Sequence, residues 1–249
     1  MSVLALTLAR SGSRGLPGKN LRMIAGRRCV EWTLRAALAA RDAGAVTRVA
    51  LSADGAELLE AARGLGVETV ERPAELAGDT ARVDDAARHA VRALEAGGAA
   101  VERIVILYGN VPVRPAGLIE RAAALLAESG ADSVQSYEPV GKHHPWWTAV
   151  VEPGARVRPW EGEVLNHGVF RRQDLPPAHV PDGGVLAVTR RALFLEVPGC
   201  GAGPHAFLGR ERRGIVNEIG SVVDIDTEID ALVAQAVLSG RGEGAACRC

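Results

Sequence analysis

Val3-Leu4-Ala5-Leu6-Thr7-Leu8 runs straight into Ala9-Arg10-Ser11-Gly12-Ser13-Arg14-Gly15-Leu16-Pro17-Gly18-Lys19-Asn20. The first six residues form a short apolar run of the kind that makes a buried strand. The twelve that follow carry three glycines, two arginines and a lysine. Glycine lets backbone N–H groups turn toward a ligand, and successive amides in a curved loop form an anion-binding concavity. Arginine grips phosphate oxygens as a fork, and lysine acts as a point charge. Open α/β sheets bind their ligands at the carboxyl ends of strands. The spacing is neither that of a P-loop nor that of the dinucleotide fingerprint. The loop reads as a polyphosphate seat built from Arg10, Gly12, Ser13, Arg14 and Lys19.

Outward from this loop, strand and helix patterns alternate. Strands are expected at Arg48–Ser52, Val67–Val70, Arg103–Leu107 and Ser133–Tyr137. Helices are expected over Val30–Ala40, Ala56–Leu65, Arg82–Ala96 and Pro115–Ser129, the last with proline at its first position. This order implies one Rossmann-like α/β domain, with a mostly parallel twisted sheet and helices on both faces. The rhythm breaks over residues 143–182, which hold several prolines and Trp146, Trp147 and Trp160. There Ala149-Val150-Val151 and Arg156-Val157-Arg158 flank Pro153-Gly154 as a hairpin. The tryptophans either fold back on their own domain or are covered by a second copy of the chain, and a dimer contact is expected. The sheet resumes at Gly183–Thr189, and Asp226–Leu238 is the closing helix. The domain spans 1–240, and 241–249 reads as a flexible tail holding Cys247 and Cys249.

The 249 residues are 47% hydrophobic and carry a formal net charge of −1. This composition supports a sizeable core and offers no general field for nucleic acid or an anionic membrane. No apolar stretch is long enough to span a bilayer, and Val3–Leu8 is too short for a signal peptide. A cytoplasmic protein is expected.

A second chemical motif is Val222-Val223-Asp224-Ile225-Asp226-Thr227-Glu228-Ile229-Asp230. If the stretch is extended, Asp224 and Asp226 point to one face. Two converging carboxylates suit Mg²⁺, which shares its remaining positions with phosphate and water. Equally, Asp226 could cap the closing helix and Asp224 could be a solvated charge. Asp79-Thr80 reads as an N-cap for the helix that follows.

The two motifs together resemble the acylneuraminate (CMP-sialic acid synthetase-like) cytidylyltransferases. Ala9, Arg10, Gly12, Ser13, Gly15, Lys19 and Asn20 match that family's first loop, and Arg14 keeps the charge of its usual lysine. Asp224, Ile225, Asp226, Thr227, Glu228 and Asp230 match its terminal motif. Arg72–Ala81 is similar to the segment that lines its nucleotide pocket, and Arg171–Pro176 to its Arg-Gln-x-Leu-Pro stretch. The resemblance implies transfer of CMP from CTP to an acidic acceptor, with release of pyrophosphate. It implies Arg10, Lys19, Asp224 and Asp226 as catalytic residues, and Asp224 and Asp226 as Mg²⁺ ligands. Asn20 and Arg72 are expected near the nucleoside, and Arg172 and Gln173 at the acceptor with Tyr108, Asn110 and Asp182.

The departures cluster toward the acceptor. Tyr108-Gly109-Asn110-Val111-Pro112-Val113-Arg114 stands where the family has Gln-Pro-Thr-Ser-Pro-Leu-Arg. Asp182-Gly183-Gly184-Val185-Leu186 replaces Asn-Gly-Ala-Ile-Tyr, Trp147 replaces a lysine of some members, and Arg82, the exception that lies nearer the base, replaces a serine. Val111 is expected to leave a substrate hydroxyl unpaired. N-acetylneuraminic acid is therefore expected to be a poor acceptor. Other readings are a related sugar acid, a phosphonate, or a nucleotide-binding protein without catalysis.

Overall fold

The computed structural model describes residues 2–242 except 14, 99 and 202. Arg14, Cys247 and Cys249 lie outside the described residues. The chain runs β1 (Val3–Leu8), β2 (Met23–Ile24), β3 (Arg27–Arg28), α1 (Cys29–Asp42), β4 (Arg48–Ala53), α2 (Ala56–Arg63), β5 (Glu68–Glu71) and α3 (Val83–Ala96). It continues through β6 (Arg103–Tyr108), α4 (Leu118–Ser129), β7 (Ser133–Pro139), β8 (Ala149–Val151), β9 (Val157–Pro159), β10 (His179–Thr189), α5 (Arg190–Leu193), β11 (Arg212–Val216) and α6 (Glu228–Gly242).

A seven-stranded sheet has the order β11-β7-β10-β6-β1-β4-β5. β1 pairs in parallel with β4 and β6, β4 with β5, and β7 with β11. β10 alone is reversed, antiparallel to both β6 and β7. The near-continuous apolar runs of β1 and β6 fit this arrangement, because a strand covered on both faces has no polar side. Alternation then sorts their residues into two cores. Ala5, Val105 and Leu107 join the core that includes Leu34, Leu58 and Leu118 of α1, α2 and α4. Leu4, Leu6, Ile104 and Ile106 join the other, with Ala87, Val91 and Leu193 of α3 and α5.

A third, smaller core decides where the site forms. Ile24 of β2 and Cys29 of α1 pack with Val113, Val223, Ile225, Ala231, Ala234 and Leu238. This cluster clamps the chain after the first loop against α6, so the two ends of the domain meet. Trp32 Nε1 donates to the Ile24 carbonyl, and Gln235 Oε1 accepts from the Ala25 amide.

Several boundaries differ from the sequence reading for identifiable reasons. Gly117 adopts φ 71, a left-handed conformation that starts α4 at Leu118 and leaves Pro115 outside the helix. α3 starts at Val83, and Arg82 precedes it without a side-chain cap. The sheet resumes at His179, four residues before the expected Gly183, across a bulge between Pro181 and Leu186. β11 has no apolar alternation to announce it, because its Arg212, Arg213 and Gly214 sit exposed on a sheet edge.

The 143–182 excursion contains the expected hairpin, β8 with β9. Two tryptophans fold back on it: Trp146 stacks on His167 with ring centroids 4.7 Å apart, and Trp147 Nε1 donates to Val169 O. Trp160 remains exposed.

Gly209 has φ +70, and a Cβ there would lie 2.2 Å from the Asp132 Cβ. Asp132 Oδ2 accepts from the Arg210 and Glu211 amides, which fixes the entry to β11. Gly209→Ala is expected to destabilise the protein by about 1–3 kcal/mol or more, the scale of a strained left-handed residue compounded by a clash. Urea unfolding checks this; a midpoint equal to wild type contradicts the clash.

Candidate active site

Three segments meet at the carboxyl ends of β1 and β6: the first loop, the stretch after Tyr108, and the terminal acidic motif. Their register makes this possible, since Leu8 lies opposite both Ser52 and Tyr108. The first loop is pinned at each end. Ser11 donates through its amide and its hydroxyl to Asp54, at 2.7 and 2.6 Å, at the end of β4. Asn20 Nδ2 reaches back to the Arg10 carbonyl at 2.8 Å, and the Asn20 carbonyl accepts from Val30 at the start of α1. Gly18, at φ +68, turns the chain so that its carbonyl accepts from Leu21. Lys19 and Asn20 are thereby buried, whereas Gly12 is exposed and Ser13 half-buried.

The terminal motif is extended. Val223 donates to Val113 O and Ile225 to Asn110 O, and both side chains are buried. Alternation therefore leaves Asp224 and Asp226 on the other side. The helix cap falls to a different pair. Thr227 and Asp230 cap α6 reciprocally, with Asp230 Oδ2 accepting from the Thr227 amide at 2.7 Å and hydroxyl at 2.8 Å. Asp226 is released from that duty and accepts from Lys19 Nζ at 2.5 Å. Arg22 forms a forked ion pair with Glu228 across the same seam. Gly15 completes the approach, because a Cβ there would stand 2.7 Å from the Asp226 carbonyl oxygen.

Asp224 accepts from Asn110 Nδ2, whose amide also donates to Ile225 O. Protein crowds the Asp224 carboxyl, and its pKa is raised to about 6. Burial is the main cause and the charge of Asp226 adds to it, while Lys19 opposes both. A carboxylate whose proton affinity is raised by burial and by a neighbouring carboxylate belongs to a donor set short of positive charge. Among the described residues no group of three or more His, Cys, Asp or Glu forms a complete metal cage. Asp224 and Asp226 thus fit Mg²⁺ in its usual mode, with one or two carboxylates and the other positions left to phosphate and water.

In front of these segments lies a cleft of about 240 Å³ whose lining includes Arg10, Lys19, Asn20, Arg72, Tyr108 and Asn110. Arg10 Nη1 pairs with Asp79 at 2.9 Å on the loop before α3, so Asp79 serves the cleft instead of capping that helix. Arg72 is buried, with Nη2 on the Ser52 carbonyl at 2.7 Å, and burial lowers its pKa. Tyr108, its hydroxyl pushed up by burial, borders two further hollows. Asp182 lies at one of them, its oxygens taken by Ser136, the Gly184 amide and Asn217.

The structure thus gathers Arg10, Lys19, Asn20, Arg72, Tyr108 and Asn110 at one cleft, with Asp224 and Asp226 beside it. Arg172 and Gln173 stand on an exposed turn in the excursion, outside this group. Val111 faces the core, fully buried, and meets no substrate, which removes the reason given for expecting it to reject a sugar hydroxyl. Gly109 is explained by packing: a Cβ would lie 2.8 Å from Asn20 Oδ1 and 2.9 Å from Ala9 Cβ. Sequence reasoning missed Asp54, whose adjacency to the first loop depends on strand order.

A protein-family model described as cytidylyltransferase matches residues 4–152. The chain belongs to the cytidylyltransferase family. An N-acylneuraminate cytidylyltransferase of Streptococcus agalactiae is 27% identical over 198 residues, covering 79% of this chain and 45% of that protein. The chain therefore spans about half the length of such relatives. A CMP-N,N'-diacetyllegionaminic acid synthase of Legionella pneumophila is 24% identical over 240 residues, covering 96% of this cytidylyltransferase and 97% of the relative. A solved CMP:2-keto-3-deoxy-manno-octonic acid synthetase in complex with CTP shares the fold, with a TM-score of 0.67 at 16% identity, over 97% of this chain and 100% of that one.

Cys29 lies under the cleft, with Sγ 3.6 Å from Gly109 O, and burial pushes its thiol up to about 12. Only the thiolate is nucleophilic, so at pH 8.5 about one Cys29 in several thousand is reactive. Cys200 is partly exposed. Iodoacetamide at pH 8.5 followed by peptide mass mapping should label Cys200 and spare Cys29 until the protein unfolds. Equal labelling of the two in the native state contradicts a packed, non-catalytic Cys29.

Proposed function

We propose that this cytidylyltransferase transfers CMP from CTP to an acidic acceptor, with release of pyrophosphate. The observation that carries the reading is the pairing of a cationic loop with two converging carboxylates. Lys19, nearly buried, meets Asp226, and Asp224 stands beside them. A protein that only bound a nucleotide would need the cations; the converging carboxylates add the means to hold a metal against its phosphates.

In the reaction an acceptor oxygen attacks the α-phosphorus of CTP, and the bond from that phosphorus to the bridging oxygen of pyrophosphate breaks. Arg10, Lys19 and the loop amides hold the triphosphate and take up charge on the leaving group. Asn20 and Arg72 lie deeper in the cleft, on the nucleoside side. Asp224 and Asp226 would hold Mg²⁺, which supplies Lewis-acid neutralisation of phosphate oxygens when bound. Asn110 and the Thr227–Asp230 cap keep those two carboxylates in place. The protein's contribution is positioning and preorganised charge.

Relatives that act on N-acylneuraminate, N,N'-diacetyllegionaminic acid and 2-keto-3-deoxy-manno-octonic acid support an acidic sugar as the acceptor class. A second copy of the chain is the partner this reading assigns to the 143–182 excursion. Trp160 and Phe170 are 62% and 92% exposed there, beside Val164 and Leu165. Arg172 and Gln173 follow on the same excursion, and such an assembly is the setting in which they would meet an acceptor. No helix among the described residues is long and apolar enough to cross a membrane.

Pyrophosphate release with CTP, Mg²⁺ and a panel of sugar acids tests the reading. Asp226→Asn keeps an acceptor for Lys19 but removes a charge, and should lower turnover by about 100–1,000-fold, as loss of one preorganised electrostatic contact does. Turnover within a few-fold of wild type would remove Asp226 from the reaction. Separately, Lys19→Ala should weaken CTP use far more than Lys142→Ala, because Lys142 is an exposed residue at the start of the excursion. Equal effects of the two would detach the loop from the nucleotide.

A further inference from the structure

Tyr108 separates the nucleotide cleft from two neighbouring hollows, and these differ in charge. The one beside Asp224 is lined by Glu138, Asp182, Asp224 and Asp230, with no lysine or arginine among its described residues. The other, about 370 Å³, lies between the start of α3 and the segment before β11. Its walls include Leu186, Phe207 and Leu208, and its polar groups include Gln135 and Arg82. Arg82 is the one lysine or arginine lining it, and Arg82 also lines the nucleotide cleft.

The Arg82 guanidinium is held, not loose. Nε and Nη2 donate to the two oxygens of Asp84, at 3.0 and 2.9 Å. Asp84 lines the same hollow but does not compete for an anion. Its side chain is 3% exposed, and Arg88 Nη2 also donates to it at 2.6 Å. Arg88 is bound in turn by Asp85 on the outer side. One edge of the Arg82 fork is thereby fixed, while Nη1 has no hydrogen-bond partner among the described residues and the side chain is 48% exposed. Nη2 also donates to the Gly203 carbonyl at 3.4 Å, so the guanidinium, held along one edge at the junction of two pockets, presents its Nη1 donors to an anion.

We propose that Arg82 is the residue that reads the acceptor: it binds the acceptor's carboxylate, while the apolar wall of Leu186, Phe207 and Leu208 takes an uncharged part of the same molecule. The inference rests on the cytidylyl-transfer reading above. It commits the acid to this hollow because the acidic alternative would repel it. The volume suits a small organic acid, since ligand pockets run from about 300 to 1,000 Å³. Gln135 adds a neutral hydrogen-bonding group at the far side of Tyr108.

The test compares wild type with Arg82→Gln and Arg82→Lys. The probes are N-acetylneuraminic acid, 2-keto-3-deoxy-manno-octonic acid and N,N'-diacetyllegionaminic acid, each as the free acid and as its methyl ester. Arg88 still satisfies Asp84 in either variant, and unchanged thermal midpoints verify folding. Wild type should favour an acid strongly over its ester. In Arg82→Gln, kcat/KM for the acid should fall by about 10-fold, the scale of losing one charge-assisted hydrogen bond, with the acid–ester preference lost. KM for CTP should stay within about 3-fold of wild type, since the lost contact is to the acceptor. Arg82→Lys should recover part of the acid preference. Retained acid–ester discrimination in Arg82→Gln, or a loss that falls on CTP instead, overturns the proposal. If wild type turns over none of the three acids, cytidylyl transfer to this class fails, and calorimetric binding of the same acids decides Arg82 on its own. Binding that Arg82→Gln abolishes supports the assignment; binding that it leaves intact, or no binding to wild type, overturns it.

Discussion

The contact between Lys19 and Asp226 joins residues 207 positions apart and holds the site together. The lysine side chain is 10% exposed and the aspartate 70% exposed, so the ammonium is drawn inward while its counter-ion faces outward. A nearly buried ammonium needs a partner, and its desolvation is tolerated only beside opposite charge. Around it the fold supplies a small apolar core, the Arg22–Glu228 pair and a glycine that lets backbone approach backbone. Together these turn two distant stretches of sequence into one surface.

The charged groups of that surface are paired with one another. Arg10 rests on Asp79, Lys19 on Asp226 and Asp224 against Asn110. Each carboxylate occupies a place where an anionic ligand or a cation would sit. Under the proposed function, a triphosphate with its metal would bind by an exchange of partners, with phosphate oxygens replacing aspartates on the cations. Such an exchange keeps charged groups oriented before the ligand arrives, which is what preorganisation requires.

Much of this was legible in the sequence because it depends on local chemistry. The strand–loop junction at Leu8–Ala9, the alternation that places Asp224 and Asp226 together, and the hairpin around Pro153-Gly154 all follow from residue type and short-range geometry. Two features were not legible because they depend on strand order. Asp54 reaches Ser11 only because β4 neighbours β1, and β11 lacks an apolar pattern of its own on an exposed edge. The role of Asp226 was ambiguous for a different reason. An aspartate before a helix is a sound cap, and only the reciprocal Thr227–Asp230 bonding shows that the cap lies one residue later. Val111 misled through its neighbours: it follows a cleft residue, but its side chain points into the core.

The central claim is that the loop carrying Lys19 and the motif carrying Asp226 form one site for transfer at the α-phosphorus. The most direct measurement uses CTP labelled at the α-phosphate, with Mg²⁺ and an acidic sugar, and follows where the label goes. The account predicts that the label moves onto the acid in step with unlabelled pyrophosphate. Label that remains in CTP, or that leaves with a phosphate and never reaches the acid, would contradict it.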